Sequence, residues 1–112
     1  MYGMDGISRV VVMDQVVPEL RVGRVEVRRI RIEAGAVVGA HVHNGPVFGS
    51  IEEGAAVYRL GDVERVLNVG DVFYEPAGER IARFDALEDG VTFLAYFPLE
   101  VGQEAVLELL DS

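Results

Sequence analysis

The chain has 112 residues, half of them apolar, and it contains no cysteine. Its 19 acidic residues outnumber ten arginines, which gives a formal net charge of −9. The lack of cysteine excludes disulfide bonds, thiol nucleophiles and cysteine-ligated metal sites. The acidic balance disfavours contact with nucleic acid and with anionic membranes, so we expect neither as a partner.

The length suits one domain over residues 1–112, because no linker or repeat divides the chain. No apolar stretch reaches the length of a membrane span, and residues 1–8 lack the charged and apolar regions of a signal peptide. We therefore expect a cytoplasmic protein. Valine recurs throughout and the 13 glycines are scattered, so the composition favours short strands joined by turns.

Alternating apolar residues predict a series of short strands in chain order, over residues 9–13, 22–32, 37–43, 47–51, 55–60, 63–69, 72–75, 81–85 and 91–97. Gly61-Asp62 and Asp89-Gly90 have the composition of two-residue hairpin turns. The strand at residue 47 is expected to end at Glu53-Gly54. The alternation slips at Arg28-Arg29, which predicts a β-bulge there.

Residues 102–110 form the only segment with a helical pattern, because Val106, Leu107 and Leu110 make a short apolar stripe. The segment is interpreted as a docking helix or as a last strand at a subunit interface. Eight or more short strands at regular spacing predict an all-β sandwich or barrel. A barrel of about eight strands has an interior that side chains fill or that holds one small ligand.

Both histidines of the chain, His41 and His43, lie two residues apart and share a face if the backbone is extended. Two neutral imidazoles hold a divalent ion weakly, and stable sites add a third protein ligand. The chain has no third histidine, so that ligand must be a carboxylate. The candidates are Glu33, Glu52, Glu53, Glu75 and Asp85.

Glu75 is the most informative of these carboxylates, because its parity in the strand matches Phe73 rather than Tyr74. Pointing inward, it would complete a set of two histidines and one carboxylate with open positions, as used by non-haem iron. The alternative is a rim carboxylate that caps the following Pro76 turn. The histidines have an alternative too, as neutral side chains bonded to water or to a carboxylate in an apolar barrel.

The segment around the histidines resembles the first sequence motif of the cupin superfamily. That motif has Gly, five residues, His-x-His, three or four residues, Glu, six residues and Gly. Gly35, His41-Val42-His43 and Gly54 stand at the matching positions. The position of the motif's Glu is occupied by Val47, or by Phe48 if four residues intervene.

A second segment resembles the other cupin motif, which has Gly, five residues, Pro-x-Gly, two residues, His, three residues and Asn. Gly70 and Pro76-Ala77-Gly78 match it, while Ile81 replaces the His and Asp85 the Asn. The resemblance implies a double-stranded β-helix, or jelly-roll, barrel. Two of the four usual metal ligands are apolar here, so it implies that a divalent metal such as Fe, Mn, Zn or Ni is weakly bound or absent.

Three functions follow as hypotheses. The first is binding of a small apolar ligand in the barrel, in a pocket lined by Phe48, Val47, Ile81, Phe73 and Phe93. The second is a metal-dependent enzyme of the dioxygenase, isomerase or decarboxylase kind that uses His41, His43 and Glu75. The third is a structural or dimerisation role, and the resemblance implies a homodimer formed through the first strand, through residues 102–110 or through both.

Overall fold

The structure is a computed structural model that describes residues 5–110. Within these residues the chain forms strands and no helix, so the all-β prediction is confirmed. None of these residues belongs to a helix that could span a membrane. The strands are β1 (Arg24–Ile32), β2 (His41–His43), β3 (Val47–Leu60), β4 (Val63–Asn68), β5 (Val72–Glu75), β6 (Ile81–Leu99) and β7 (Leu107–Leu109).

The strands build one antiparallel sheet with the order β4-β3-β6-β2-β7, in which β1 also pairs with β6 and β5 with β3. The two long strands, β3 and β6, bend so that each pairs with different neighbours at its two ends. This arrangement is consistent with a jelly-roll barrel. The predicted hairpin at Gly61-Asp62 is confirmed, because Leu60 pairs with Val63 across it.

Glycines bend β3 and β6 without ending them. The β3–β6 register shifts near Ile51, Gly54 and Arg59. Gly54 and Gly90 both have positive φ, and a Cβ on Gly54 would collide with the Gly90 carbonyl oxygen. The predicted strand end at Gly54 and the predicted hairpin at Asp89-Gly90 are therefore wrong. A glycine with positive φ serves a bulge as well as a turn, so the composition alone does not separate them.

The predicted bulge at Arg28-Arg29 is also wrong, because β1 pairs with β6 in one unbroken register. Arg28 shares its face with Ile30 and Ile32, and its guanidinium lies 4.8 Å from the centre of the Phe97 ring. The guanidinium thus covers this ring in a cation–π contact, where an apolar residue would otherwise stand. The apparent slip in the apolar alternation is thus a change from arginine to isoleucine along one face of β1.

Three other predicted elements differ from the structure. Residues 9–13 form no strand, and residues 37–40 precede β2 because Gly39 has φ +83 and interrupts the extended backbone. Of the two alternatives for residues 102–110, the helix is wrong and a last strand is found, as β7. Gly102 adopts φ +86 there, and the chain continues into β7, which pairs with β2.

The core lies inside the barrel and is dominated by aromatic rings. Phe73, Phe84 and Phe93 stack with ring centres 5.0 to 5.6 Å apart, and Tyr58 packs on the first two. Gly49 on β3 lies directly against the Phe73 ring. Two of these rings, Phe84 and Phe93, also line the cavity into which the histidines point.

Candidate metal centre

The two histidines and Glu75 meet inside the barrel. His41 and His43 lie on β2 with exposed fractions of 2% and 8%, and Glu75, at the end of β5, is 5% exposed. Only four polar or charged residues are buried among residues 5–110, and these are three of them. Burial of a carboxylate is costly unless an opposite charge or a metal lies close by, so the cluster needs a chemical explanation.

The three side chains converge on one point. Glu75 Oε1 lies 3.4 Å from His41 Nε2, and its Oε2 lies 3.3 Å from His43 Nε2. One donor atom from each residue lies within 4.8 Å of the others. Metal bonds of about 2.1 Å separate neighbouring ligand atoms by about 3.0 to 3.4 Å, depending on the coordination angle. The donor set therefore fits a divalent ion in its chemistry, and the two distances from Glu75 to the histidines fall within this range.

The backbone just before β2 orients His41. Its Nδ1 lies 3.0 Å from the Gly39 carbonyl oxygen and donates a hydrogen bond to it. This bond leaves Nε2 facing Glu75. A hydrogen bond from the other ring nitrogen to a backbone carbonyl is the usual second contact of a metal-binding histidine. Gly39 was not among the predicted site residues. Its only signal in the sequence is a glycine two residues before the histidine.

Electrostatics favour charge separation within the cluster. Burial works against a charge on Glu75, but hydrogen bonds to His41 and His43 outweigh it and hold the pKa of this carboxyl below its usual value. For His41, burial again opposes the charged form, and hydrogen bonds to Glu75 and to the Gly39 carbonyl raise its pKa. The site thus attracts a positive charge, which a proton or a metal ion supplies.

A cavity of about 200 Å³ opens beside the cluster. Apart from the cluster, its lining is entirely apolar and includes no arginine. It draws on β1, β2, β3, β5, β6, β7 and the loop before β2. The lining residues are Ile30, Ile32, Val38, His41, His43, Val47, Glu75, Phe84, Phe93, Ala95, Phe97 and Leu107.

Of the side chains predicted to line the pocket, Val47 and Phe93 do so. Phe48 points to the other side of β3, as alternation requires, and stacks on Tyr74 with ring centres 5.2 Å apart. Phe73 and Ile81 are fully buried in the core and are not part of the lining. Contributions from β1 and β7 were missed, because long-range strand pairing leaves no local signal in the sequence.

The buried carboxylate of Glu75 lies on β5, one strand away from the position on β3 that the cupin motif gives to its Glu. Val47, at the motif's Glu position, is the direct cross-strand partner of Glu75. Direct partners share a face of the sheet, so both side chains reach the same cavity. Ile81, at the position of the motif's second His, pairs with His41.

The other candidate carboxylates are engaged elsewhere. Glu33 and Glu52 form ion pairs with Arg31 and Arg29, and Asp85 pairs with Arg83. Glu53 is exposed at a register shift of β3.

Comparison with known proteins agrees with this fold. The family model described as Cupin domain matches residues 28–82. No protein of curated function matches the chain. A cupin-like protein from Thermotoga maritima superposes with a TM-score of 0.64 at 23% identity, covering 79% of this chain and 65% of that one. The match and the shared fold identify residues 28–82 as a cupin domain.

Two enzymes are also similar in structure. The DMSP lyase DddQ from Ruegeria pomeroyi has a TM-score of 0.64 at 19% identity, over 73% of this chain and 42% of that one. A variant of oxalate decarboxylase from Bacillus subtilis has a TM-score of 0.57 at 25% identity, over 66% of this chain and 21% of that one. The chain thus spans from about a fifth to just under two thirds of the length of these structures.

Proposed function

We propose that the protein binds one divalent metal ion through His41, His43 and Glu75. The observation that carries the proposal is the buried Glu75 carboxylate, with one oxygen 3.4 Å from His41 Nε2 and the other 3.3 Å from His43 Nε2. Two histidines and one carboxylate on one side of an ion leave positions open toward the cavity. Fe²⁺, Mn²⁺, Zn²⁺ and Ni²⁺ are the candidate ions, with Fe²⁺ matching this ligand set best.

The open positions face a cavity suited to a small, largely apolar molecule. A cavity of about 150 Å³ lined by apolar side chains accepts benzene, so about 200 Å³ suits a molecule of one ring. Glu75 neutralises half the charge of a divalent ion, and no lining arginine remains to balance a doubly charged ligand. The ligand is therefore a neutral or singly charged molecule with one atom that reaches the metal.

A second candidate function is a metal-dependent enzyme of the dioxygenase, isomerase or decarboxylase kind. The open positions of the ligand set favour it, and two similar structures are a lyase and a decarboxylase. A bound metal would polarise an oxygen atom of the substrate. The apolar walls would exclude water from it, and the Gly39 carbonyl would hold the His41 ring in place. Turnover of a bound ligand separates this function from binding alone.

We further propose that the protein acts as a cytoplasmic homodimer. Apolar side chains on the segment before β1 support it, because Val10, Val11, Val12 and Val16 are each at least 70% exposed. The outer face of β1 adds Val25, at 55%. A second copy would cover these side chains. Light scattering is expected to give twice the mass of one chain at micromolar concentration, and a monomer there would contradict the proposal.

Metal titration of the stripped protein tests the main proposal. Calorimetry with Mn²⁺ and Zn²⁺ is expected to show one ion per chain, and Glu75→Gln is expected to weaken binding by at least about 100-fold because it removes a direct ligand. Glu79→Gln is the matched control, with the same charge change on an exposed side chain just past β5. Equal binding by wild type and Glu75→Gln would contradict the proposal, as would no binding at all.

A further inference from the structure

The strand that carries both histidines is held to the sheet mainly by β7. β2 pairs with β6 at a single position, His41 with Ile81. It pairs with β7 over its whole length, from His41 with Leu109 to His43 with Leu107. On its other side, the Gly78 amide donates a hydrogen bond to the His43 carbonyl. Residues 104–110, here called the strap, therefore supply most of the pairing that fixes β2.

One side chain fastens the strap to β2. Asn44, directly after His43, accepts a hydrogen bond at Oδ1 from the Val106 amide at 2.9 Å and donates one from Nδ2 to the Glu104 carbonyl at 2.9 Å. Its own amide donates to the Val106 carbonyl at 3.1 Å, and the Leu110 amide donates to the Ala40 carbonyl at 2.9 Å. Bonds before and after β2 thus bracket the two histidines.

The strap covers the cavity but packs little apolar surface. Leu107 lines the cavity, yet it is 46% exposed, and Leu109 is 65% exposed. An element held by hydrogen bonds at the surface, with few buried side chains, opens at lower free energy than the core. The strap is therefore the part of the cavity wall that is easiest to release.

We propose that the strap is a positioning element whose docking is coupled to metal binding. The inference rests on the metal site proposed above. Docked, the strap fixes β2 so that both imidazoles face Glu75, and Leu107 covers the cavity. Released, it leaves β2 held to the rest of the chain by the His41–Ile81 pair and the Gly78 hydrogen bond, so the two imidazoles lose their fixed position relative to Glu75. Because coupling is reciprocal, a metal held by β2 stabilises the docked strap by the same factor that docking adds to metal affinity.

Hydrogen exchange on the wild-type protein tests this coupling without any substitution. Saturating Zn²⁺ is expected to slow exchange of the Val106 and Leu110 amides by about 5-fold to 150-fold. The amides of β4, which contributes nothing to the cavity lining, are expected to stay unchanged. Zn²⁺ binding without added protection of the strap amides would overturn the inference and leave the metal site standing. No Zn²⁺ binding would end both.

Asn44 gives a second, independent test. Asn44→Ala is expected to weaken Co²⁺ binding by about 10-fold to 100-fold, read from the visible absorption of the bound ion. Asn44→Asp keeps the acceptor for the Val106 amide and is expected to recover part of this loss. Asn68→Ala, the same change on exposed β4, is the control and is expected to bind as wild type. Equal Co²⁺ affinity in Asn44→Ala and wild type would overturn the inference.

Discussion

At the scale of single residues, the proposed site gives Glu75 the role that the cupin motif assigns to the position of its cross-strand partner, Val47. Val47 and Glu75 are paired across β3 and β5, and both are buried on the cavity side. Direct partners in an antiparallel ladder have Cβ atoms about 5 Å apart, so one carboxylate reaches the same ion from either strand. The proposed metal site is thus defined by a face of the sheet rather than by one sequence position.

If the face of the sheet defines the site, a carboxylate at residue 47 should replace the one at residue 75. Glu75→Val is expected to abolish tight Zn²⁺ binding, and Val47→Glu combined with Glu75→Val is expected to restore most of it, measured by calorimetry. Val47→Glu alone is expected to lower the melting temperature without metal, because it places two carboxylates in one apolar cavity. A double variant that binds no better than Glu75→Val would contradict the prediction.

The pair of His41 and Glu75 also predicts a pH dependence of stability without metal. The raised pKa of His41 contributes stability below its ordinary value of 6.5, which is lost as pH rises through the raised value. The lowered pKa of Glu75 contributes stability above its ordinary value of 4.5, which is lost as pH falls through the lowered value. Both contributions are present between these two ordinary values.

Thermal unfolding in a chelator measures this dependence. The melting temperature of wild type is expected to exceed that of Glu75→Gln most at about pH 5.5, with a smaller difference at about pH 8. Glu79→Gln, the exposed control, is expected to show no such maximum. A difference that does not change with pH would contradict the assigned ion pair.

At the scale of elements, β3 lies directly against the core at Gly49. A Cβ there would collide with the Phe73 ring, which is fully buried and packs against Tyr58, Phe84 and Phe93. Gly49→Ala is therefore expected to lower the free energy of unfolding by about 1 to 3 kcal/mol, measured by denaturant titration.

Gly45→Ala is the matched control, because the nearest atom to its Cβ is the Pro98 carbonyl oxygen at 3.9 Å. It is expected to change the free energy of unfolding little. Equal losses in the two variants would show that Gly49 is not held against the aromatic core.

The sequence predicts local features of these elements well and long-range ones poorly. Alternation around Phe73 makes an inward Glu75 one of two alternatives, because the parity of neighbours in a strand is local information, and Glu75 is indeed buried rather than on the rim. The bends at Gly54 and Gly90 were mistaken for strand ends because the same residue serves both. The pairing of β7 with β2 depends on hydrogen bonds between Asn44 and distant backbone, which no periodicity of residues 102–110 reveals.

At the scale of the whole molecule, the apolar lining predicts which ligands enter the cavity. Phenol, a neutral ring with one oxygen donor, is expected to raise the melting temperature of the Zn²⁺-loaded protein. Phenyl phosphate has the same ring and two charges, and it is expected to have no effect because no arginine lines the cavity. Ala95→Leu, which fills part of the cavity from β6, is expected to remove the effect of phenol.

A stronger effect of phenyl phosphate than of phenol would contradict the assigned class of ligand. An unchanged effect of phenol in Ala95→Leu would show that phenol binds outside the cavity.

Diffraction at the zinc absorption edge from crystals grown with Zn²⁺ is the sharpest test of a metal site at His41, His43 and Glu75. We expect one anomalous peak inside the barrel, about 2.0 to 2.2 Å from His41 Nε2, from His43 Nε2 and from a Glu75 carboxylate oxygen. A peak only at exposed carboxylates, with Glu75 still hydrogen-bonded to both imidazoles, would contradict it.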